Sequence, residues 1–183
     1  MKKIITLFAV IFFSALAGCK SSRAPSLPPV PPWMSEIPPE NVIWGVGKAE
    51  LQNENLAMET AVARAQHQAA LQISALVQDI LTDHSKELGL QDDARSIQSI
   101  ENIVRNLENM NLASAIPNAR TRMPDGIWWG RAVLNKADAQ RNIHAIIEDE
   151  MADFTEFGAD KVLEQLDAEL NKYRSRIVPR TED

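Results

Sequence analysis

The amino-acid sequence predicts an α+β fold, in which long helices pack on a small, mostly antiparallel sheet in the order β-α-α-β-β-α. One observation is the extended run VIWGVGKA at 42–49. Another is a turn sequence, Met-Pro-Asp-Gly, between two further extended runs within 112–134. The remaining segments carry apolar residues at helical spacing.

The first strand contains two glycines, Gly45 and Gly47, on the same side. A glycine pair after a strand can belong to a phosphate-binding loop. The dinucleotide fingerprint needs a small residue where Glu50 stands, and the other common phosphate loop needs Ser or Thr where Ala49 stands. We therefore interpret Gly45 and Gly47 as structural packing residues that allow a helix to approach closely.

Two helices are expected to follow the first strand. The first begins near Asn53 and ends by Gly89, and the second begins near Asp92 or Ser96. The first helix carries small residues every four positions: Ala57, Ala61, Ala65 and Ala69. This row predicts a flat helix surface against the glycine side of the strand.

A hairpin and a final helical stretch complete the predicted fold. The runs 112–122 and 127–134 form the hairpin around Pro124-Asp125-Gly126. The final stretch reaches from Asp138 to Tyr173, and we expect Gly158 to bend or interrupt it.

The adjacent tryptophans of the hairpin must face opposite sides of an extended strand. Trp128 shares its side with small and apolar residues, so we expect it to pack inside. Trp129 shares the other side with Arg131, and we predict that these two form an outward interaction surface for self-association or partner docking. The alternative is a central strand with both faces covered, which would make each indole a core residue.

The N-terminus carries a predicted lipoprotein signal peptide at 1–18. Two lysines precede an apolar run that is too short for a membrane span, and Leu16-Ala17-Gly18-Cys19 resembles a bacterial lipobox. We predict that Cys19, the only cysteine, accepts a diacylglyceryl group and further acylation such as palmitate. The alternative is an ordinary signal peptide with an incidental cysteine at its cleavage site.

Domain boundaries follow from composition. Residues 19–31 are predicted to be a lipidated, proline-rich tether, 32–174 a single α+β domain, and 175–183 a disordered tail. Without the signal peptide the formal net charge is about −8. Such an acidic chain argues against nucleic acid as a partner and against a basic membrane patch.

Catalytic chemistry finds little support in the sequence. The three histidines have no second histidine or cysteine at metal-ligand spacing, and His84 near a helix end is expected to be solvated. The acidic row Asp149, Asp153, Glu156 and Asp160 is interpreted as a solvated face rather than a cation site. We predict no enzymatic activity, no catalytic residues, no metal and no cofactor.

The lipobox, the segment PPW at 31–33 and the segment IWGVGKA at 43–49, followed by an alanine-rich helix, together resemble the LPP-twenty family of small bacterial envelope lipoproteins. Trp44 stands where the family usually has tyrosine. The domain of this family also occurs in the flagellar proteins FlgP and FlgT. The resemblance implies a non-catalytic, lipid-anchored envelope protein with a structural or assembly role, with flagellar assembly as one setting. Lys20 after the cysteine favours the outer membrane, with the domain in the periplasm or displayed at the surface.

Three functions remain open from the sequence. The first is this structural or assembly lipoprotein, with the membrane as one partner and a second copy or another envelope protein as the other. The second is a periplasmic binding module for cell-wall fragments or a hydrophobic small molecule. The third, a hydrolase, rests only on scattered acids and histidines.

Overall fold

The computed structural model describes residues 29–151 and 158–174, and it confirms the α+β class and the order β-α-α-β-β-α. The final helical stretch consists of two helices. A 3₁₀ turn at Pro32–Ser35 precedes the elements, which are β1 (Val42–Ala49), α1 (Glu54–Glu87), α2 (Ala94–Ser114), β2 (Ile116–Arg122), β3 (Trp128–Asn135), α3 (Lys136–Glu150) and α4 (Ala159–Lys172). The predicted signal peptide, residues 19–28 of the predicted tether and the predicted tail lie outside the described residues.

The three strands form an antiparallel sheet in the order β1-β3-β2. β3 is therefore the central strand. Its register places Ala132 opposite Gly45 and Gly130 opposite Gly47. Small residues thus occupy the middle of the face that meets the helices, and that face is flat.

Helix α1 crosses this flat face with its alanine row, and its backbone lies directly against the glycines. Ala65 and Ala69 are completely buried. A Cβ atom at Gly45 would lie 2.5 Å from the Ala69 amide nitrogen, and one at Gly47 would lie 2.6 Å from the Ala65 amide nitrogen. The helix can take this position only because neither glycine has a side chain.

The outer edge of β1 is covered by polar side chains of α1. An edge strand leaves alternate backbone amides and carbonyls without partners unless something else binds them. Three side chains at four-residue spacing do so: Gln72 donates to the Trp44 carbonyl at 2.8 Å, Gln68 accepts from the Val46 amide at 2.5 Å, and Arg64 donates to the Lys48 carbonyl at 2.8 Å. The close approach of α1 brings these side chains within reach.

The main core lies between the helices and one end of the sheet. Ile43 and Leu134 enter it from paired positions on β1 and β3, and both are completely buried. The helices contribute most of the remaining large buried side chains: Ile73, Val77, Leu81, Ile103, Leu107, Ile143, Ile147, Val162 and Leu166. Among the described residues, no helix combines the length and apolar character needed to cross a bilayer.

The predicted start of the hairpin differs from the structure. The hairpin does not begin at 112, because α2 continues to Ser114 and β2 starts at Ile116. Asn111 explains the extension of the helix, since its completely buried side chain accepts a hydrogen bond from Asn142 of α3 at 2.9 Å. The interruption expected at Gly158 is confirmed, because this residue has φ 64° and caps the start of α4.

A tryptophan-arginine cluster on the outer face of the sheet

The face of the sheet opposite the helices is covered by residues 31–36, which we call the strap. Pro31 and Trp33 of the strap are buried. Trp33 packs with Val46 of β1 and Trp129 of β3, and these three side chains form a hydrophobic cluster separate from the main core. We call the residues that receive the strap the outer-face cluster: Trp44, Val46, Thr121, Trp129 and Arg131.

The sequence of the strap explains its shape. Pro32 occupies the first turn of the 3₁₀ segment, where its missing N–H costs no hydrogen bond. The Met34 amide donates to the Pro31 carbonyl at 3.0 Å, and the Ser35 hydroxyl donates to the Pro32 carbonyl at 2.7 Å. This tight turn directs the Trp33 indole toward the sheet.

Arg131 lies between two indole rings. Its guanidinium carbon is 4.0 Å from the ring centroid of Trp44 and 5.3 Å from that of Trp33. Its Nη1 donates to Glu36 at 2.8 Å and its Nε donates to Asn118 at 2.9 Å, and its side chain is only 12% exposed. A partly desolvated cation–π contact stabilises by about 1 to 2 kcal/mol, whereas the ion pair to the exposed Glu36 contributes little.

The strap contacts all three strands. The indole N–H of Trp33 donates to the Thr121 hydroxyl of β2 at 3.1 Å. The same ring packs on Val46 of β1 and on Trp129 of β3. A single strap residue therefore bridges the whole width of the sheet.

The predicted outward position of Trp129 is wrong. Its side chain is 6% exposed, because the strap covers the face on which it lies. Arg131 shares that face as predicted, but it too is mostly covered. The alternative of a central strand with both faces covered describes β3 correctly, while Trp128 points toward the helix side and is half-buried. Any contact of Trp129 with a partner would require the strap to move.

One of the three histidines, His84, is more buried than expected. His84, expected to be solvated, is 4% exposed, because α2 folds back against the end of α1. The other two lie beside carboxylates of neighbouring helices, with His67 at 3.3 Å from Glu108 and His144 at 3.0 Å from Asp167.

The acidic row considered in the sequence is only partly visible. Asp153 and Glu156 lie outside the described residues. Across 29–151 and 158–174, no group of three or more His, Cys, Asp or Glu residues is arranged to hold a metal ion.

The two ends of the described domain meet beside the start of β1. Arg174 donates to Glu40 at 2.6 Å, and this hydrogen bond lowers the pKa of the Glu40 carboxyl. The Lys136 ammonium donates to the Tyr173 carbonyl at 2.8 Å, and burial lowers the pKa of Lys136. These contacts fix the end of α4 next to the segment that leads from the strap into β1.

The space between helices and sheet, where a binding module would hold a hydrophobic ligand, is filled by the side chains of the main core. A groove of about 580 Å³ lies instead on the surface of α3. Its lining comes from one helix: Gln140, Arg141, His144, Ala145 and Glu148. Such a groove offers a ligand one wall rather than an enclosed site.

Comparison of the chain with protein-family models, with curated proteins and with solved structures found no match.

Proposed function

We propose that this protein is a lipid-anchored lipoprotein of the bacterial envelope with a non-catalytic, structural or assembly role. The observation that supports this proposal is the strap, which binds the chain to the outer face of the sheet from Pro31, the last residue of the predicted tether, onward. Pro31 and Trp33 are buried there, and Arg131 lies against the Trp33 ring. The strap thus fixes where the tether leaves the domain.

This geometry limits the distance between domain and membrane. Eleven residues, from Lys20 to Val30, lie between the predicted lipidated Cys19 and Pro31, the first buried residue of the strap, so the chain takes twelve residue-to-residue steps between them. Because a fully extended chain spans at most about 3.5 Å per residue, the strap lies within about 42 Å of the anchor.

The resemblance to the LPP-twenty family supports the same role, with the outer membrane as the location and the periplasm as the compartment of the domain. On this proposal the lipid supplies the membrane contact, and the second partner is another copy or another envelope protein. Flagellar assembly is one setting for such a role, because the domain of this family also occurs in flagellar proteins.

The test of anchoring is the chemistry of Cys19. We expect mass spectrometry of the membrane fraction to find a mature chain that begins at Cys19 and carries diacylglyceryl and acyl groups, with labelled palmitate incorporated. Cys19→Ser should abolish both labelling and membrane retention, whereas the neighbouring Ser21→Ala should change neither. An unmodified Cys19, or cleavage at another residue, would overturn the anchoring proposal.

The test of an assembly role is a partner search from native envelopes. Copies cross-linked in the envelope, solubilised in detergent and purified should bring down a defined envelope protein or a second copy. The Cys19→Ser variant provides the matched control, because it has the same domain without the anchor. Equal recovery of the same proteins with both variants would contradict a role that depends on anchoring.

A further inference from the structure

We propose that the outer-face cluster is a docking site for the strap of a second copy as well as for the strap of its own chain. Two copies would then exchange residues 31–36, and each strap would lie on the sheet of the other copy. The occupant is defined because the strap supplies Trp33 and Glu36, which bind Thr121, Trp129 and Arg131 of the site in this structure.

The strap packs on a hydrophobic cluster that is separate from the main core. Trp33, Val46 and Trp129 form a cluster of their own, and none of them belongs to the main core. The glycine face, the helices and the core lie on the other side of the sheet. Removing the strap would therefore leave the main core packed while it uncovered Trp129 and Arg131.

The docking contacts are specific to side chains of the strap. The Trp33 indole N–H donates to the Thr121 hydroxyl, and the exposed Glu36 carboxylate accepts from the Arg131 guanidinium. The Trp33 ring needs the same guanidinium on its face. A strap from another copy would meet identical partners, so exchange would lose no contact and create no unpaired group.

The segment that joins the strap to β1 has the exposure expected of a hinge. Residues 37–41 carry mostly exposed side chains, and Ile37 is 89% exposed, the highest value among the exposed large apolar residues of the described chain. The six residues from Ile37 to Val42 span at most about 21 Å. Exchange would therefore require the two domains to lie close together at this hinge, and the closeness would cover Ile37.

Association is the main cost of exchange, because the contacts are the same before and after it. Anchoring on a membrane confines the copies and raises their effective concentration, which reduces that cost. This part of the inference rests on the proposed lipid anchor. The fraction of exchanged dimers should accordingly rise with the density of copies on the membrane.

The experiment places a photo-crosslinker in the strap of the full-length protein. Met34, half-buried against the outer-face cluster, is replaced by p-benzoylphenylalanine, and a second copy carries an affinity tag. After irradiation in native membranes, we expect adducts between the copies that map to β2 or β3 of the tagged copy, and at least a fivefold loss of these adducts with Trp33→Ala. The same crosslinker at Ile97, an exposed position of α2, measures random collision. Adducts confined to one copy, or adducts between copies no more frequent than at Ile97, would overturn strap exchange.

Two further measurements keep the test decisive. Should the Met34 variant fail to show the wild-type circular dichroism and melting temperature, the crosslinker moves to Ser35, which is exposed. The Cys19→Ser variant, purified and concentrated, separates exchange from anchoring. Dimers that appear with concentration in this variant and are lost with Trp33→Ala would support exchange even if Cys19 carried no lipid. Anchored protein with no adducts between copies would overturn exchange while the anchoring proposal stood.

Discussion

The substitution Gly45→Ala tests the close packing of α1 on the sheet. The added Cβ would lie 2.5 Å from the Ala69 amide nitrogen and 2.9 Å from the Ala69 Cβ, and it would also fall far inside contact distance of the Ala65 carbonyl oxygen. Two of these three atoms belong to the helix backbone. No change of side-chain rotamer can move them away, so the helix and the strand must separate.

The expected loss of stability follows from how little α1 can move. This helix has 34 residues, and its second half is held in the main core. Overpacking of a core by one carbon costs about 1 to 3 kcal/mol, and contact with backbone atoms places Gly45→Ala near the upper end. Alanine also lowers the conformational entropy of the unfolded chain, which offsets about 0.5 kcal/mol of this loss of stability. We therefore expect the free energy of unfolding to fall by about 2 to 2.5 kcal/mol.

Urea denaturation followed by circular dichroism measures this change. With a slope of about 2 kcal/mol per M, the midpoint should fall by about 1 M. Gly89→Ala is the matched control, because no atom lies within 4 Å of its added Cβ, although its φ of 73° makes alanine cost about 1 kcal/mol. A midpoint for Gly45→Ala as high as that of Gly89→Ala would refute the packing role of this glycine.

Two further predictions concern the edge of β1 and the meeting point of the chain ends. Gln68→Ala removes the acceptor of the Val46 amide and should lower the free energy of unfolding by about 1 kcal/mol. Gln68→Glu keeps an acceptor, so its free energy of unfolding should fall by less. Equal losses for the two variants in urea denaturation would argue against the hydrogen bond. The hydrogen bond from Arg174 lowers the pKa of Glu40 in the folded protein. The stability that this contact contributes is therefore fully present above the ordinary glutamate pKa of about 4.3, and it is lost as the pH falls through the lower pKa of the folded protein. NMR titration should find that Arg174→Gln raises the pKa of Glu40, and an unchanged pKa would contradict the assignment.

Local patterns in the sequence were sufficient to locate β1 and its glycines. The alternation of side chains over 42–49 and the failure of both phosphate motifs depend only on neighbouring residues, and β1 begins and ends as predicted. The turn at Asp125-Gly126 is likewise local, because the Asp125 carboxylate accepts the Ile127 amide at 3.0 Å. The start of α1 was found for the same reason, since Asn53 caps it by accepting the Leu56 amide.

The covering of the outer face could not be predicted from local pattern. A proline-rich segment has no periodicity, so its composition indicates a tether and gives no sign of docking on a sheet. The burial of Trp129 depends on Trp33, which lies 96 positions earlier in the chain. One signal was present: a large indole among prolines is expensive to leave in water, and burying it requires an apolar surface. His84 is a similar case, because its burial depends on where α2 comes to lie.

The polar side chains along the outer edge of β1 also determine how far copies could join by sharing one sheet. A fibre that grows by adding strands needs two open edges on every subunit, one to receive the previous subunit and one to offer the next. Here the backbone of β1 is already bound by Arg64, Gln68 and Gln72, which leaves β2 as the edge that could accept another strand. Pairing through β2 would consume that edge in both molecules, and growth would stop at two. Crowding of the copies would then produce a closed pair rather than a polymer.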